Sequence, residues 1–312
     1  MKTKYVKSKL GLIALLTIAE ACGNAKDAKK PERAEDHRLT EIRAKRDAYI
    51  RFYPDIAADE KGWPIDTDCD GLLFASLGRA SGLPIDLTLA HGPDRGRWFR
   101  NWQRDCSSDI SRDMILGLAV FIWHSRDYRL AADLVNYGEQ NDWVMGNGPA
   151  SRVWLSPILQ GTLYQLRYKL GGADHVKRHI RAPWLPQRGY QAHLQMLHLH
   201  LRKRLGISDK NTKDTVKEIV DREQNNALFQ AIGAEWRVST LERAADVLLA
   251  NTIFPNDRLP TSDDKCSHYL WERDEIKEDG SVNDDWQPCP DQNKQYSGID
   301  FIFAASLILG EI

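Results

Sequence analysis

The chain has 312 residues, 42% of them hydrophobic, and a formal net charge of −1. That is enough for one large domain or two small ones with a sizeable core, and the near-neutral balance excludes the electrostatic footprint of a nucleic-acid binder. Ten tryptophans and five cysteines are the compositional features that call for an explanation.

Residues 1–21 read as a signal peptide. Lys2, Lys4, Lys7 and Lys9 form a basic start, and Leu10 to Ala19 form an apolar run too short to span a bilayer. Ala19-Glu20-Ala21 fits a small-x-small cleavage site, and Cys22 follows at once. This arrangement resembles the lipobox of bacterial lipoproteins. It implies lipidation of Cys22, a membrane attachment through an N-terminal lipid anchor, and a place in the bacterial cell envelope, periplasmic or surface. Plain secretion is the alternative. Cleavage removes four lysines and one glutamate, which moves the formal charge from −1 to −4. Residues 22–38 are polar, charged and free of aromatics, as in a flexible tether. Residues 39–312 form the expected single helical domain.

Export makes the four remaining cysteines, Cys69, Cys106, Cys266 and Cys289, a disulfide set. Three pairings are possible. Cys69–Cys106 and Cys266–Cys289 are favoured, because they close two loops at about 3–4 kcal/mol each in the chain-entropy model. No CxxC or paired-histidine spacing supports a metal centre, so neither a metal nor a cofactor is expected.

Arg38 to Tyr53 predicts a charged amphipathic helix on the outside. Asp68 to Leu77, DCDGLLFASL, predicts a buried helix with acids at its start. Residues 81–105 form a long loop of the kind that often carries function. The stretch from Trp98 to His124, WFRNWQRDCSSDISRDMILGLAVFIWH, organises the rest. Ile110, Met114, Leu118, Phe121 and Ile122 recur at helical spacing behind the capping residues Ser107, Ser108 and Asp109. Arg112 and Asp113 fall in the first turn, where outward N–H groups and the helix dipole favour a carboxylate.

Asp127 to Tyr137 predicts a short helix, followed by a Gly- and Asn-rich turn, Asn141 to Pro149. Ser156-Pro157 opens another helix that Gly171-Gly172 closes. Helices are expected over Gln187–Leu205, Lys213–Phe229 and Leu241–Leu249, then an irregular excursion over Pro255–Tyr296. A last helix, FIFAASLIL, follows a capping-box-like Ser297-Gly-Ile-Asp300. No strand alternation stands out, and the fold class is all-α.

Inner helices with acidic mouths (DCDG, SRD) and tryptophan-rich loops (WFRNWQRD, NDW, NDDW) resemble the six-hairpin, (α/α)-toroid glycosidases and related polysaccharide-active proteins. The resemblance spans roughly residue 66 to the C-terminus and rests on pattern. It implies an α/α toroid-like array of helical hairpins, complete or incomplete, with a glycan cleft at one mouth.

Glycosidic cleavage there needs two carboxylates, one protonated and one ionised. Asp113 is the candidate base, with Asp70 and Asp68 as candidate partners. Arg112, Trp98, Trp102, Arg104, Asp142, Trp143, Trp286 and Asp300 are candidate substrate-binding residues. Flat indoles suit the apolar faces of sugars, and Arg97, Arg100 and Arg104 suit acidic groups on a glycan. A lyase would instead draw its base from Tyr164 or His124. The bland alternative is that each aspartate caps a helix or turn and that the tryptophans fill gaps between helices. His193, His198 and His200 read as solvated or packing residues rather than ligands. A non-catalytic envelope lipoprotein that binds glycan or protein in the same groove is the second functional expectation.

Overall fold

The computed structural model describes residues 37–65, 69–148, 151–171, 189–208, 211–250 and 298–312. Among them the apolar periodicity becomes ten α-helices, one short 3-10 helix and one β-hairpin. The protein is all-α in class, as its periodicity implies.

Helix α1 (His37–Ile56) buries Ile42, Tyr49 and Tyr53 and turns its charged face outward. Helix α2 (Gly71–Ala80) is buried without a break from Gly71 to Gly78. It lies on α3 (Arg112–Ser125) so closely that a Cβ on Gly117 would sit 2.7 Å from Leu73 Cδ1 and 3.1 Å from Leu73 Cα. The Leu73 N–H points to Met114 Sδ at 3.3 Å. The third residue of α2 therefore meets the third residue of α3, and both helices begin at the same end of the pair. Between them, the expected long loop contains the short 3-10 helix Leu87–Ala90. The Cys69–Cys106 disulfide, with Cα atoms 6.0 Å apart, ties that loop to the start of α2. One of the two favoured links is thus present. Cys22, Cys266 and Cys289 lie outside the described residues.

Helix α4 (Tyr128–Gln140) is capped by the Asp127 carboxylate, which accepts from Leu130 N–H at 3.0 Å. The chain then reverses through Asp142 and Trp143, both left-handed at φ 50° and 61°. It continues into β1 (Val144–Gly148) and antiparallel β2 (Ser151–Trp154). This hairpin replaces the expected plain turn. VMGNG has neither alternation nor strand propensity, so pairing alone makes it a strand.

Helices α5 (Pro157–Lys169) and α6 (Gly189–Leu205) follow the expected bounds closely. The single helix expected over Lys213–Phe229 is two, α7 (Thr212–Arg222) and α8 (Ala227–Glu235). The break falls at Asn226, whose side chain caps α8 by accepting from Phe229 N–H at 3.1 Å. Helix α9 (Leu241–Ala250) and helix α10 (Ile299–Ile308) complete the set, and α10 is buried throughout.

The described residues make one compact unit. Helix α10 packs on α1, α2, α8 and α9, and α3 packs on α2, α4, α5 and α6. Helix α6 also touches α7 and α8, so it joins the two groups. No closed ring of helical hairpins is seen among the described residues.

Candidate functional site

The arginine- and tryptophan-rich lead-in to α3 is not helical, so Trp98 and Trp102 do not share a helix face. Trp98 is 3% exposed and meets His91 edge-on, with ring centroids 4.9 Å apart. Trp102 donates through Nε1 to Asp59 at 2.7 Å and carries Lys61 over its ring.

The arginines are equally engaged. Arg97 pairs with Asp109 at 3.1 Å. Arg104 donates to the His91 carbonyl and lies 4.3 Å over the Phe99 ring. Arg100 donates to Ser108, to the Cys69 carbonyl and to Asp70, the last at 3.1 Å. Together with the disulfide, these contacts lock the loop onto the start of α2. Asp70 is buried inside that lock. Asp68 and Trp286 lie outside the described residues.

Two other expected site residues, Trp143 and Asp300, are packed into the fold. Trp143 packs over Gly138, where an added Cβ would meet its ring at 2.6 Å, and sets its edge against Tyr164. Asp142 is exposed in the turn before it. Asp300 is fully buried and pairs with His193 at 2.6 Å. The residues named for a lyase are also engaged, since Tyr164 donates to Glu139 and His124 shares a hydrogen bond with His200.

All three α6 histidines are buried and hydrogen-bonded rather than solvated. His200 bridges His124 at 3.1 Å and Glu235 at 2.8 Å, and Arg204 closes on Glu235 at 2.6 Å. Burial, then the nearby His200, Arg204 and Arg126, lower the His124 pKa to about 3. Burial pushes the Glu235 carboxyl up, but His200 and Arg204 overcome it and leave a net lowering. His198 is lowered to about 3 by burial and then by Arg202. Its Nε2 lies 2.9 Å from Thr162 Oγ1, and that hydroxyl already donates to the Ile158 carbonyl. Neutral His198 is therefore the donor, with its proton on Nε2.

Arg112 and Asp113 remain, at the mouth of α3. The Ser111 hydroxyl donates to Asp113 Oδ1, which holds the carboxylate at the helix start. Arg112 is exposed and makes no ion pair among the described residues. Beside it is a cavity of about 50 Å³, lined also by Ser156, Ile158 and Leu159 at the start of α5 and by Leu194, Gln195 and His198 of α6. Trp154, at the end of β2, is 48% exposed. It stands two residues before Ser156, so the two Cα atoms are at most about 7 Å apart. Trp154, Ser156 and Gln195 were not singled out by sequence. The Ser156-Pro157 helix start was the one legible signal, and indole exposure is set by tertiary packing.

A second, larger groove of about 700 Å³ runs between the end of α2, the 3-10 helix, α3 and α4. Pro84, Ile85, Leu87, Phe121 and Leu130 make it mainly apolar, with Trp98, His91, Asp86 and Arg79 on its walls. Among the described residues no cluster of three or more His, Cys, Asp or Glu could hold a metal ion. No protein family, no curated protein and no solved structure matches this chain.

Proposed function

We propose that this is a glycan-binding protein of the bacterial cell envelope, anchored through Cys22, which holds an oligosaccharide across the mouth formed by the starts of α3 and α5. The observation that carries this reading is the half-exposed indole of Trp154, two residues before Ser156, which lines a small cavity together with Arg112 and Gln195. A flat, open ring suits the apolar face of a sugar, and convergent polar groups beside it suit the hydroxyls. Trp98, Trp102 and Trp143 are instead covered or hydrogen-bonded.

Binding is preferred to cleavage because Asp70, the described partner for Asp113, is buried in its ion pair with Arg100. A carboxylate held this way does not serve as proton donor to a leaving oxygen. Hydrolysis is the second reading, favoured by the placement of Asp70 and Asp113 at the same end of the α2–α3 pair.

Calorimetric titration with a panel of neutral and acidic oligosaccharides, combined with a reducing-end assay, separates the two. Trp154→Ala is expected to weaken binding about tenfold, the scale of one aromatic contact plus its buried area. Unaltered affinity in that variant contradicts the site. Reducing ends released by the wild type and lost in Asp113→Asn would establish hydrolysis instead. Mass spectrometry of the mature N-terminus tests the anchor: a lipid-modified Cys22 is expected, and retention of residues 1–21 contradicts it.

A further inference from the structure

We infer that the cavity beside Arg112 is the anion pocket of the proposed glycan site and receives a carboxylate, sulfate or phosphate group carried by an acidic sugar. The inference rests on the glycan reading for the sugar, but its anion component stands on separate observations.

Two helix starts converge on the cavity, and neither has a side-chain cap hydrogen bond. In α5, Gln160 N–H is the first to reach back along the helix, to the Ser156 carbonyl at 3.0 Å. Pro157 has no N–H, so Ile158 and Leu159 carry the orphan first-turn donors, and both line the cavity. In α3, Ile115 N–H reaches the Ser111 carbonyl, which leaves the N–H groups of Arg112, Asp113 and Met114 outside the ladder. Such ends favour anions through their N–H groups and their dipoles.

Helix ends alone do not make a site. The independent observation is Gln195, which is 3% exposed and lines the cavity, and whose Nε2 is buried without a hydrogen-bond partner. A buried amide donor left unmet is costly, and a bound acceptor is the group that relieves it. Arg112 adds a full positive charge with no described carboxylate to neutralise it. Asp113 is next in sequence, but it does not line the cavity, and its Oδ1 already accepts from Ser111. A cavity of about 50 Å³ admits a group of a few heavy atoms and not a sugar ring, so the ring itself lies outside, toward Trp154.

The test uses inorganic sulfate, glucose and glucuronate as probes, with thermal melts at constant ionic strength in chloride as the baseline. Wild type, Arg112→Gln and Trp154→Ala are compared, since both substitutions are at exposed positions. A second cavity variant, Gln195→Glu, places a carboxylate against the anion. Sulfate and glucuronate are expected to raise the melting temperature saturably in the wild type. In Arg112→Gln both apparent affinities fall about tenfold or more, the scale of a charge-assisted contact. Gln195→Glu is expected to abolish the sulfate effect.

Trp154→Ala should weaken glucuronate and leave sulfate unchanged. If sulfate acts equally on the wild type and Arg112→Gln, or not at all, the anion pocket is refuted. That holds even where glucose binding depends on Trp154, in which case the glycan reading survives alone. If sulfate depends on Arg112 while glucuronate binds no better and ignores Trp154, the anion pocket stands. The sugar assignment then falls with the glycan reading.

Discussion

Two regions of this molecule contain the same kinds of polar side chain and use them in opposite ways. Around α6 and α10, Asp300 meets His193, and Glu235, His200 and His124 form a chain closed by Arg204. At the cavity where the starts of α3 and α5 meet α6, the Gln195 amide is buried with no partner and Arg112 makes no ion pair among the described residues. Asp300 Oδ1 and Arg204 Nε are also buried without a partner, but neither residue borders the described cavities. Burial and charge therefore do not by themselves separate a structural group from a binding one. An unmet donor facing empty space does.

The largest expected effect lies in the paired region. Asp300→Ala strands His193 in the core and should destabilise the protein by about 3–5 kcal/mol, the range for breaking a buried pair. Chemical denaturation measures it, and a change below 1 kcal/mol, about the scale of an exposed pair, would erase the contrast. The double variant Cys69→Ser/Cys106→Ser should lose about 3–4 kcal/mol by freeing the loop that Arg100 and Asp70 also lock. Full stability in that variant under the same denaturant series would mean that the polar contacts hold the loop unaided.

The pH response tests the paired region in another way. His124 and His198 stay neutral in the fold down to about pH 3, whereas an unfolded histidine takes its proton near 6.5. Between those values the unfolded chain binds more protons, so stability falls as pH falls. Glu235 has the same sign, since its lowered carboxyl contributes stability that is lost as pH drops through its folded value. Melting temperature should decline steadily from pH 7 toward pH 4. His198→Gln should flatten the slope by about one proton. A flat profile in the wild type would contradict the neutral, buried assignment. The smallest effect belongs to the mouth, where Arg112→Gln should change stability by no more than about 0.5 kcal/mol.

This contrast also explains what could be read from the sequence. Helices with a broad apolar face, such as α2, α3 and α10, were legible because every core position announces itself at helical spacing. The hairpin was not, since VMGNG becomes a strand through its partner rather than its own residues. The break before α8 was hidden because charged residues run through it and only the Asn226 cap marks it. At the candidate cavity, Arg112 was legible from the helix start. Trp154 and Gln195 were not, because the exposure of one indole among ten and the missing partner of one amide are tertiary facts. For the same reason, Trp98, Trp143 and Asp300 looked like site residues and turned out to be buried in the fold.

The most direct measurement is a heteronuclear NMR titration with glucuronate, following the side-chain N–H signals of the tryptophans and glutamines. Loss of one signal in Trp154→Phe assigns that indole, and loss of one pair in Gln195→Leu assigns that amide. The Trp154 indole and the Gln195 amide should shift together with one saturating midpoint. The Trp63 and Trp236 signals, from indoles bonded to backbone carbonyls in the core, should stay in place. Shifts confined to Trp98 in the apolar groove, or none at Trp154 and Gln195, would contradict the proposed site.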